Sequence, residues 1–120
     1  MEEFYRSDDA VCYGKLLNFN GSDVQVVDVT IITTDGYRFS HWEMWTTDHD
    51  QMQLFVDSFI GKGWTFEVPD PLPESVEVSF DRFIQCDGNE LEDHYCIIML
   101  PPTECRAESE LIQTIGRSLH

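Results

Sequence analysis

Apolar and polar residues alternate along most of residues 11–45, which is the pattern of strands with one buried face. The alternation predicts a strand over residues 11–19 and a second strand over residues 24–33. Between them, the sequence Asn-Gly-Ser-Asp at residues 20–23 predicts a turn. The Asp35–Gly36 pair then predicts a two-residue hairpin turn in which both residues have positive φ. The returning strand is predicted over residues 37–45.

The apolar spacing changes to that of a helix after residue 46. Thr47 is the predicted N-cap, and Gly61 and Gly63 end the helix. Its apolar face consists of Met52, Phe55, Val56, Phe59 and Ile60. Residues 64–68 predict a short strand, and the three prolines within residues 69–73 predict an irregular connector.

In the second half, apolar and charged residues alternate over residues 76–84 and predict a strand, followed by a turn over residues 87–90. Residues 95–100 are apolar on both faces, as expected of a central strand that Pro101 and Pro102 end. Thr103 caps a final helix with an inner face of Cys105, Leu111, Ile112, Ile115 and Leu119. We therefore expect one α+β domain over residues 1–120: a mostly antiparallel sheet of about five or six strands with two helices packed on it.

The net charge restricts the possible functions of this domain more than its length does. The chain has 120 residues, with 7 Lys and Arg against 23 Asp and Glu, and its net charge is −16. The hydrophobic fraction of 42% predicts a folded core rather than a disordered acidic tail. Such a charge repels phosphate, which argues against direct binding of nucleic acid or of an anionic membrane.

The sequence also indicates a compartment. It has no apolar run long enough for a transmembrane helix, and its acidic N-terminal residues have the wrong charge for a signal peptide. We therefore expect a cytosolic protein whose four cysteines stay as thiols.

Motifs for catalysis or metal binding are weak, so we expect neither an enzyme nor a cofactor. No phosphate-binding glycine loop, nucleophile elbow or zincin helix is present. A cysteine nucleophile beside His41, His49 or His94 is an alternative to small buried thiols in the core. A zinc set of Cys86, His94, Cys96 and Cys105 lacks the paired C-x₂₋₄-C spacing, and residues 87–93 lack the EF-hand pattern.

The carboxylates form clusters, and Lys62 and Arg82 are the only Lys or Arg between Asp48 and Asp93. Neighbouring carboxylates on one face of a strand or helix are about 6–7 Å apart, near the spacing of phosphates along a nucleic-acid strand. A surface of this kind can occupy a cationic groove built for nucleic acid. The candidate partner-binding acids are Asp48, Asp50, Asp57, Glu67, Asp70, Glu74, Glu77, Asp87, Glu90, Glu92 and Asp93.

The alternative is a solvated acidic face that only aids solubility. Surfaces of small domains usually carry a net charge of magnitude about 2–8, and −16 lies well outside that range. We therefore favour a basic partner. Trp42 is a further candidate contact, because Trp42 and Trp45 lie on opposite faces of one predicted strand and one face of the sheet is expected to be exposed. In the alternative arrangement, helix and loop cover both faces.

Residues 26–77 contain a strand, Asp35–Gly36, a second strand, a helix whose end runs from Phe55 to Trp64, and an acidic stretch. This order resembles the small acidic phage-encoded anti-CRISPR proteins, in particular inhibitors that mimic DNA in the PAM-reading cleft of a CRISPR nuclease. Those inhibitors begin with a helix where this chain has a strand, and they lack residues 78–120.

The resemblance implies a phage-type inhibitor of a nucleic-acid-binding host defence protein, acting as a monomer or homodimer. The acids that follow the helix, Glu67, Asp70, Glu74 and Glu77, are the first that it implies at the interface. The expected partner is a CRISPR effector or another defence nuclease. An immunity or antitoxin protein that neutralises a basic toxin nuclease is the alternative, since it would use the same electrostatics.

Overall fold

The computed structural model of the protein describes residues 1–17 and 23–102. These residues form an α+β fold with a six-stranded antiparallel sheet of order β1-β2-β3-β4-β6-β5. This confirms the predicted fold class. The elements are β1 Glu2–Arg6, β2 Ala10–Leu17, β3 Gln25–Thr33, β4 Arg38–Thr46, α1 His49–Ile60, β5 Thr65–Glu67, α2 Glu74–Phe83 and β6 Tyr95–Leu100.

Each face of the sheet packs against one helix, because the three central strands carry apolar side chains on both faces. On one face, β3 and β4 meet α2 in a cluster of Val27, Val29, Trp45, Val76, Phe80 and Ile84. On the other, β3, β4 and β6 meet α1 in a cluster built on Val24, Val26, Met44, Ile97 and Met99, with Met52 and Phe59 packed against it. The central position predicted for β6 is confirmed.

The first strand, β1, is absent from the sequence-based prediction, because Glu2–Arg6 has an acidic sequence without clear alternation. It forms the edge of the sheet and pairs with β2. Phe4 anchors it, with its ring centroid 5.4 Å from that of Phe83 on α2. Gly14 permits this contact, because a Cβ atom there would lie 2.8 Å from the Phe83 ring and 3.0 Å from the Phe4 ring.

The strand predicted over residues 76–84 is wrong, because Glu74–Phe83 forms helix α2. Val76, Phe80 and Phe83 are spaced i, i+4 and i+7, so they share the face of the helix that packs on the sheet. Val76 and Val78 are β-branched and two residues apart, so they resemble one face of a strand. In the helix, however, Val78 is only partly buried. Acidic residues in the first turn and Arg82 in the last turn also suit the helix dipole.

The hairpin between β3 and β4 exists, but its predicted two-residue turn is wrong. The Thr33 N–H donates to the Tyr37 carbonyl at 2.9 Å, so the loop has three residues, and of these Gly36 alone has positive φ, at 90°. This is the geometry of a type I turn followed by a left-handed glycine. Two successive positive φ angles occur instead at Asp87 and Gly88, at 44° and 89°.

Helix α1 begins one residue later than predicted, with Asp48 rather than Thr47 as its N-cap. The Asp48 carboxylate accepts hydrogen bonds from the backbone N–H of Asp50 at 2.9 Å and of Gln51 at 3.3 Å. The helix ends at Ile60 before Gly61, as predicted, and Gly63 has a φ of 88°.

Replacing Asp48 with alanine is expected to cost about 1 kcal/mol of unfolding free energy, because two N–H groups of α1 lose their acceptor. Asp48→Asn keeps an acceptor oxygen in the same place and is expected to change stability by a few tenths of a kcal/mol or less. Urea unfolding of the two variants measures the difference. Equal losses in both variants would contradict the capping role.

The predicted C-terminal helix from Thr103, with Cys105, lies outside the described residues, as do residues 18–22 of the first predicted strand and turn. Leu91–Asp93 form a single turn of 3₁₀ helix, and the two α-helices of the described chain are α1 and α2. With lengths of 12 and 10 residues, neither is long enough to cross a membrane.

Candidate partner-binding surface

Three segments meet at the end of the sheet where β3 begins and β4 ends. Between them lies a groove of about 400 Å³, which we call the acidic groove. The residues that line it include the three exposed acids Asp23, Asp48 and Asp87, together with His94. The groove therefore presents negative charge from parts of the chain that are far apart in sequence.

Hydrogen bonds fix these segments to one another. The Gln25 side chain joins the start of β3 to the segment after α2, because its Nε2 donates to the Gln85 carbonyl and its Oε1 accepts from the Gln85 N–H, both at 2.9 Å. The Thr46 hydroxyl donates to the Asp23 carbonyl at 3.2 Å and accepts from the Asp48 N–H at 3.1 Å. The carboxylates of the groove are thus held by defined backbone positions.

The loop between α2 and β6 is also ordered by its own hydrogen bonds. Asp87 and Gly88 form a tight turn in which the Asn89 N–H donates to the Cys86 carbonyl at 2.7 Å. Glu90 and Asp93 then form a reciprocal capping box, with the Glu90 N–H donating to the Asp93 carboxylate at 2.9 Å. This loop carries four exposed acids.

We call the exposed acids of residues 23–25, 46–50 and 85–94 the acidic end. These three segments contain no Lys or Arg. Within the described part of the chain, none of these acids forms an ion pair with Lys or Arg, whereas Glu3 pairs with Arg6 at 2.7 Å and Glu2 with Arg82 at 2.9 Å. The acidic end consists of Asp23, Asp48, Asp50, Asp87, Glu90, Glu92 and Asp93.

A second cavity of about 280 Å³ lies beside the acidic groove, and we call it the apolar pocket. Helix α1, the connector after β5 and the start of β6 form it. His94 lines both cavities and therefore separates them. The other residues that line the apolar pocket include Trp45, Met52, Val68, Asp70, Leu72 and Tyr95.

Six of the candidate acids lie on the segments of the acidic end, and two of them, Asp48 and Asp87, line the groove together with Asp23. The sequence placed Asp23 in a turn outside any acidic cluster, so no local signal marked it. The remaining candidates lie elsewhere. Asp57 accepts a hydrogen bond from Gln53 on the surface of α1 at 2.9 Å, and Asp70 lines the apolar pocket.

The four acids implied first by the family resemblance do not form one patch. Glu74, on α2, accepts a hydrogen bond from the Tyr5 hydroxyl of β1 at 3.3 Å, whereas Glu67 lies on β5. These strands are the two edges of the sheet, about 24 Å apart at about 4.8 Å per strand. Glu77 follows Glu74 by one helical turn.

Both tryptophans of β4 are packed. The sheet therefore has the arrangement in which both of its faces are covered, rather than the one with an exposed face. Trp45 is 1% exposed, and its ring lies 5.0 Å from that of Phe80. Trp42 is partly buried on the opposite face, with its ring 4.7 Å from Trp64 and 5.9 Å from Phe59. Trp42 therefore contributes packing to the α1 side of the core rather than a fully exposed anchor.

The described cysteines are free thiols. Burial, with a smaller contribution from the Glu43 carboxylate, raises the pKa of Cys12 to about 11; the same two causes raise the pKa of Cys96. Both thiols are therefore protonated at neutral pH, the form that is a poor nucleophile and metal ligand. In residues 1–17 and 23–102, no three His, Cys, Asp or Glu side chains are arranged to hold a metal ion.

Comparisons with models of known families, with curated proteins and with solved structures find no match to this chain. Its function is therefore inferred from the charge, burial and geometry of its own residues. The acidic end and the apolar pocket are the two surface features that those residues define.

Proposed function

We propose that this protein is a non-enzymatic inhibitor that binds a basic nucleic-acid-binding protein through its acidic end and blocks access of DNA or RNA. The observation that carries the proposal is the concentration of seven exposed carboxylates on three segments that contain no Lys or Arg. These segments belong to a folded domain with a net charge of −16.

Such a surface suits a groove evolved for phosphates. Proteins that bind nucleic acid display Lys and Arg along a groove, and their association is steered by charge. The loop hydrogen bonds hold the backbone segments that carry these carboxylates in place before binding, which reduces the entropy lost on association. Self-repulsion of the acids disfavours the folded state, so a role in binding gives a reason for their retention.

The resemblance of residues 26–77 to phage-encoded anti-CRISPR proteins favours a CRISPR effector as the partner. It rests on the hairpin, helix α1 and the acids that follow them. The acidic end adds a surface outside the four acids that the resemblance implies. A toxin nuclease remains the alternative partner, since it also displays a cationic groove.

Removing three charges from the acidic groove is expected to weaken binding at least about tenfold, because a coupling of about 1.5 kcal/mol, the low end of the range for close interfacial charge pairs, corresponds to that factor. The variant combines Asp23→Asn, Asp48→Asn and Asp87→Asn. Asparagine keeps the N-cap oxygen at residue 48 and tolerates the positive φ at residue 87, so the fold is expected to be unchanged. The measurement is displacement of labelled DNA from purified CRISPR effectors and toxin nucleases.

A matched control combines Asp8→Asn, Asp9→Asn and Asp35→Asn. These acids lie at the opposite end of β3, about 27 Å away along the strand, so the same loss of net charge is expected to weaken binding about twofold or less. Binding is also expected to fall as salt rises from about 50 to 200 mM. Equal effects of the two triple variants would overturn the assignment of the acidic end, and failure of the wild-type protein to displace DNA from any of the basic proteins would overturn the proposed function.

A further inference from the structure

The acidic groove and the apolar pocket are adjacent, because the His94 side chain lines both. The ring of His94 is held in place: its Nδ1 donates to the Glu90 carbonyl at 2.7 Å, and its edge packs against Phe80 with centroids 4.8 Å apart. A side chain bound in the groove would therefore lie next to a side chain bound in the pocket.

The two cavities favour different chemistry. Carboxylates of Asp23, Asp48 and Asp87 line the groove, and carboxylates form strong charge-assisted hydrogen bonds with Lys or Arg. The walls of the pocket include Trp45, Met52 and Leu72. Its volume of about 280 Å³, near the lower end of the roughly 300–1,000 Å³ of ligand pockets, leaves room for an apolar side chain.

Two further observations point to an occupant of the apolar pocket. Val68 and Tyr95 contribute to its lining, although they are 73% and 44% exposed, and exposed apolar residues beside a cavity are typical of interaction sites. Trp45 also lines it, and the buried indole Nε1 of Trp45 has no hydrogen-bond partner among the described residues. A main-chain carbonyl that entered with the side chain would supply an acceptor.

We propose that the groove and the pocket together form one recognition site for a basic segment of the partner protein. A Lys or Arg side chain binds between the carboxylates of the groove, and an adjacent apolar side chain fills the pocket. Charge complementarity selects this occupant, since Asp70 adds a carboxylate at the pocket. A second copy of this chain, with a net charge of −16, would be repelled. The inference rests on the proposed function and specifies the contact that it uses.

Short peptides test the site without the unidentified partner. The probes are the capped peptides Lys-Arg-Leu-Arg-Lys and Lys-Arg-Ser-Arg-Lys, which carry the same charge and differ in one apolar side chain. We expect the leucine peptide to bind the full chain about tenfold more tightly, the effect of burying one leucine side chain. NMR titration measures both affinities, and the indole N–H signal of Trp45 is expected to shift only with the leucine peptide.

A rim variant of the pocket, Val68→Gln with Tyr95→Gln, is expected to reduce this discrimination below about threefold. The matched control is Leu54→Gln with Ile60→Gln. It changes two large apolar residues of α1 that are 63% and 54% exposed, and Ile60 is the last residue of that helix. The control is expected to keep the tenfold preference. NMR spectra of the free variants show whether each one is folded.

The outcomes separate the two proposals. If both peptides bind equally to the wild-type protein, or if neither binds, the combined recognition site is wrong. Displacement of DNA that depends on Asp23, Asp48 and Asp87 would in that case still support the proposed function. If the rim variant keeps the tenfold preference, the apolar pocket is not the site of the leucine side chain. Loss of the preference in the rim variant alone supports the site.

Discussion

Replacing Phe80 with alanine is expected to lower the unfolding free energy by about 3–5 kcal/mol, the range for a large buried aromatic residue. Phe80 is 4% exposed and links α2 to the sheet, with its ring 5.0 Å from that of Trp45. It also contacts His94, whose ring separates the two proposed binding cavities. Because small domains are stable by only about 5–15 kcal/mol, this single change removes a large fraction of the total.

Urea unfolding of Phe80→Ala and Val78→Ala distinguishes the helix from the strand predicted by sequence. In the strand, Val78 and Phe80 would share one face and both be costly to truncate. In α2, Val78 is only partly buried, and alanine has the higher helix propensity, so Val78→Ala is expected to cost about 1 kcal/mol or less. A loss of about 3 kcal/mol for Val78→Ala would contradict the helix. Phe80→Leu provides a milder variant in case Phe80→Ala does not fold.

The elements that were predicted correctly from the sequence are those in which several local signals agree. Strands β3 and β4 combine alternation with a glycine-containing turn, and α1 combines helical spacing with a cap, so several local signals agree in each case. Helix α2 has conflicting signals, because its valines favour strands while its apolar face has helical spacing. Tertiary packing of Val76 and Phe80 on the sheet decides the outcome. Strand β1 has too weak a pattern and depends on pairing with β2.

The charge of the candidate site was predictable from sequence, but its location was not. Counting acids identified Asp48 and Asp87 as candidates, yet no local rule places them in one groove with Asp23. The hydrogen bonds between Gln25 and Gln85, 60 residues apart, create that proximity. The apolar pocket likewise joins residues from β4, α1, the connector and β6, so only the tertiary fold defines it.

Replacing His41 with leucine is expected to destabilise the protein by about 3 kcal/mol or more, because it removes the partner of a buried carboxylate. Glu43 lies in the central strand β4 and is 2% exposed, with Val27 and Ile98 as its cross-strand neighbours. Its Oε2 is 3.6 Å from the Nε2 of His41, and its Oε1 has no hydrogen-bond partner among the described residues.

The Glu43 carboxylate is buried in the sheet and acts on groups beyond its own strand. It contributes to the raised pKa of both Cys12 and Cys96, so its field reaches thiols on β2 and β6 of the same sheet. The His41 ring is the basic group that lies against this carboxylate, and its side chain is 12% exposed. Without His41, the carboxylate would be left buried without this partner, which costs folding free energy.

The double variant His41→Leu with Glu43→Leu is therefore expected to be more stable than His41→Leu alone, and within about 1 kcal/mol of the wild type or above it. Replacing a buried ion pair by apolar side chains of similar volume is often neutral or stabilising, whereas removing one partner is strongly destabilising. A double-mutant cycle with urea unfolding measures the coupling between the two residues. Additive losses would show that His41 and Glu43 stabilise the sheet independently, and a double variant less stable than His41→Leu would show that the carboxylate makes favourable contacts of its own.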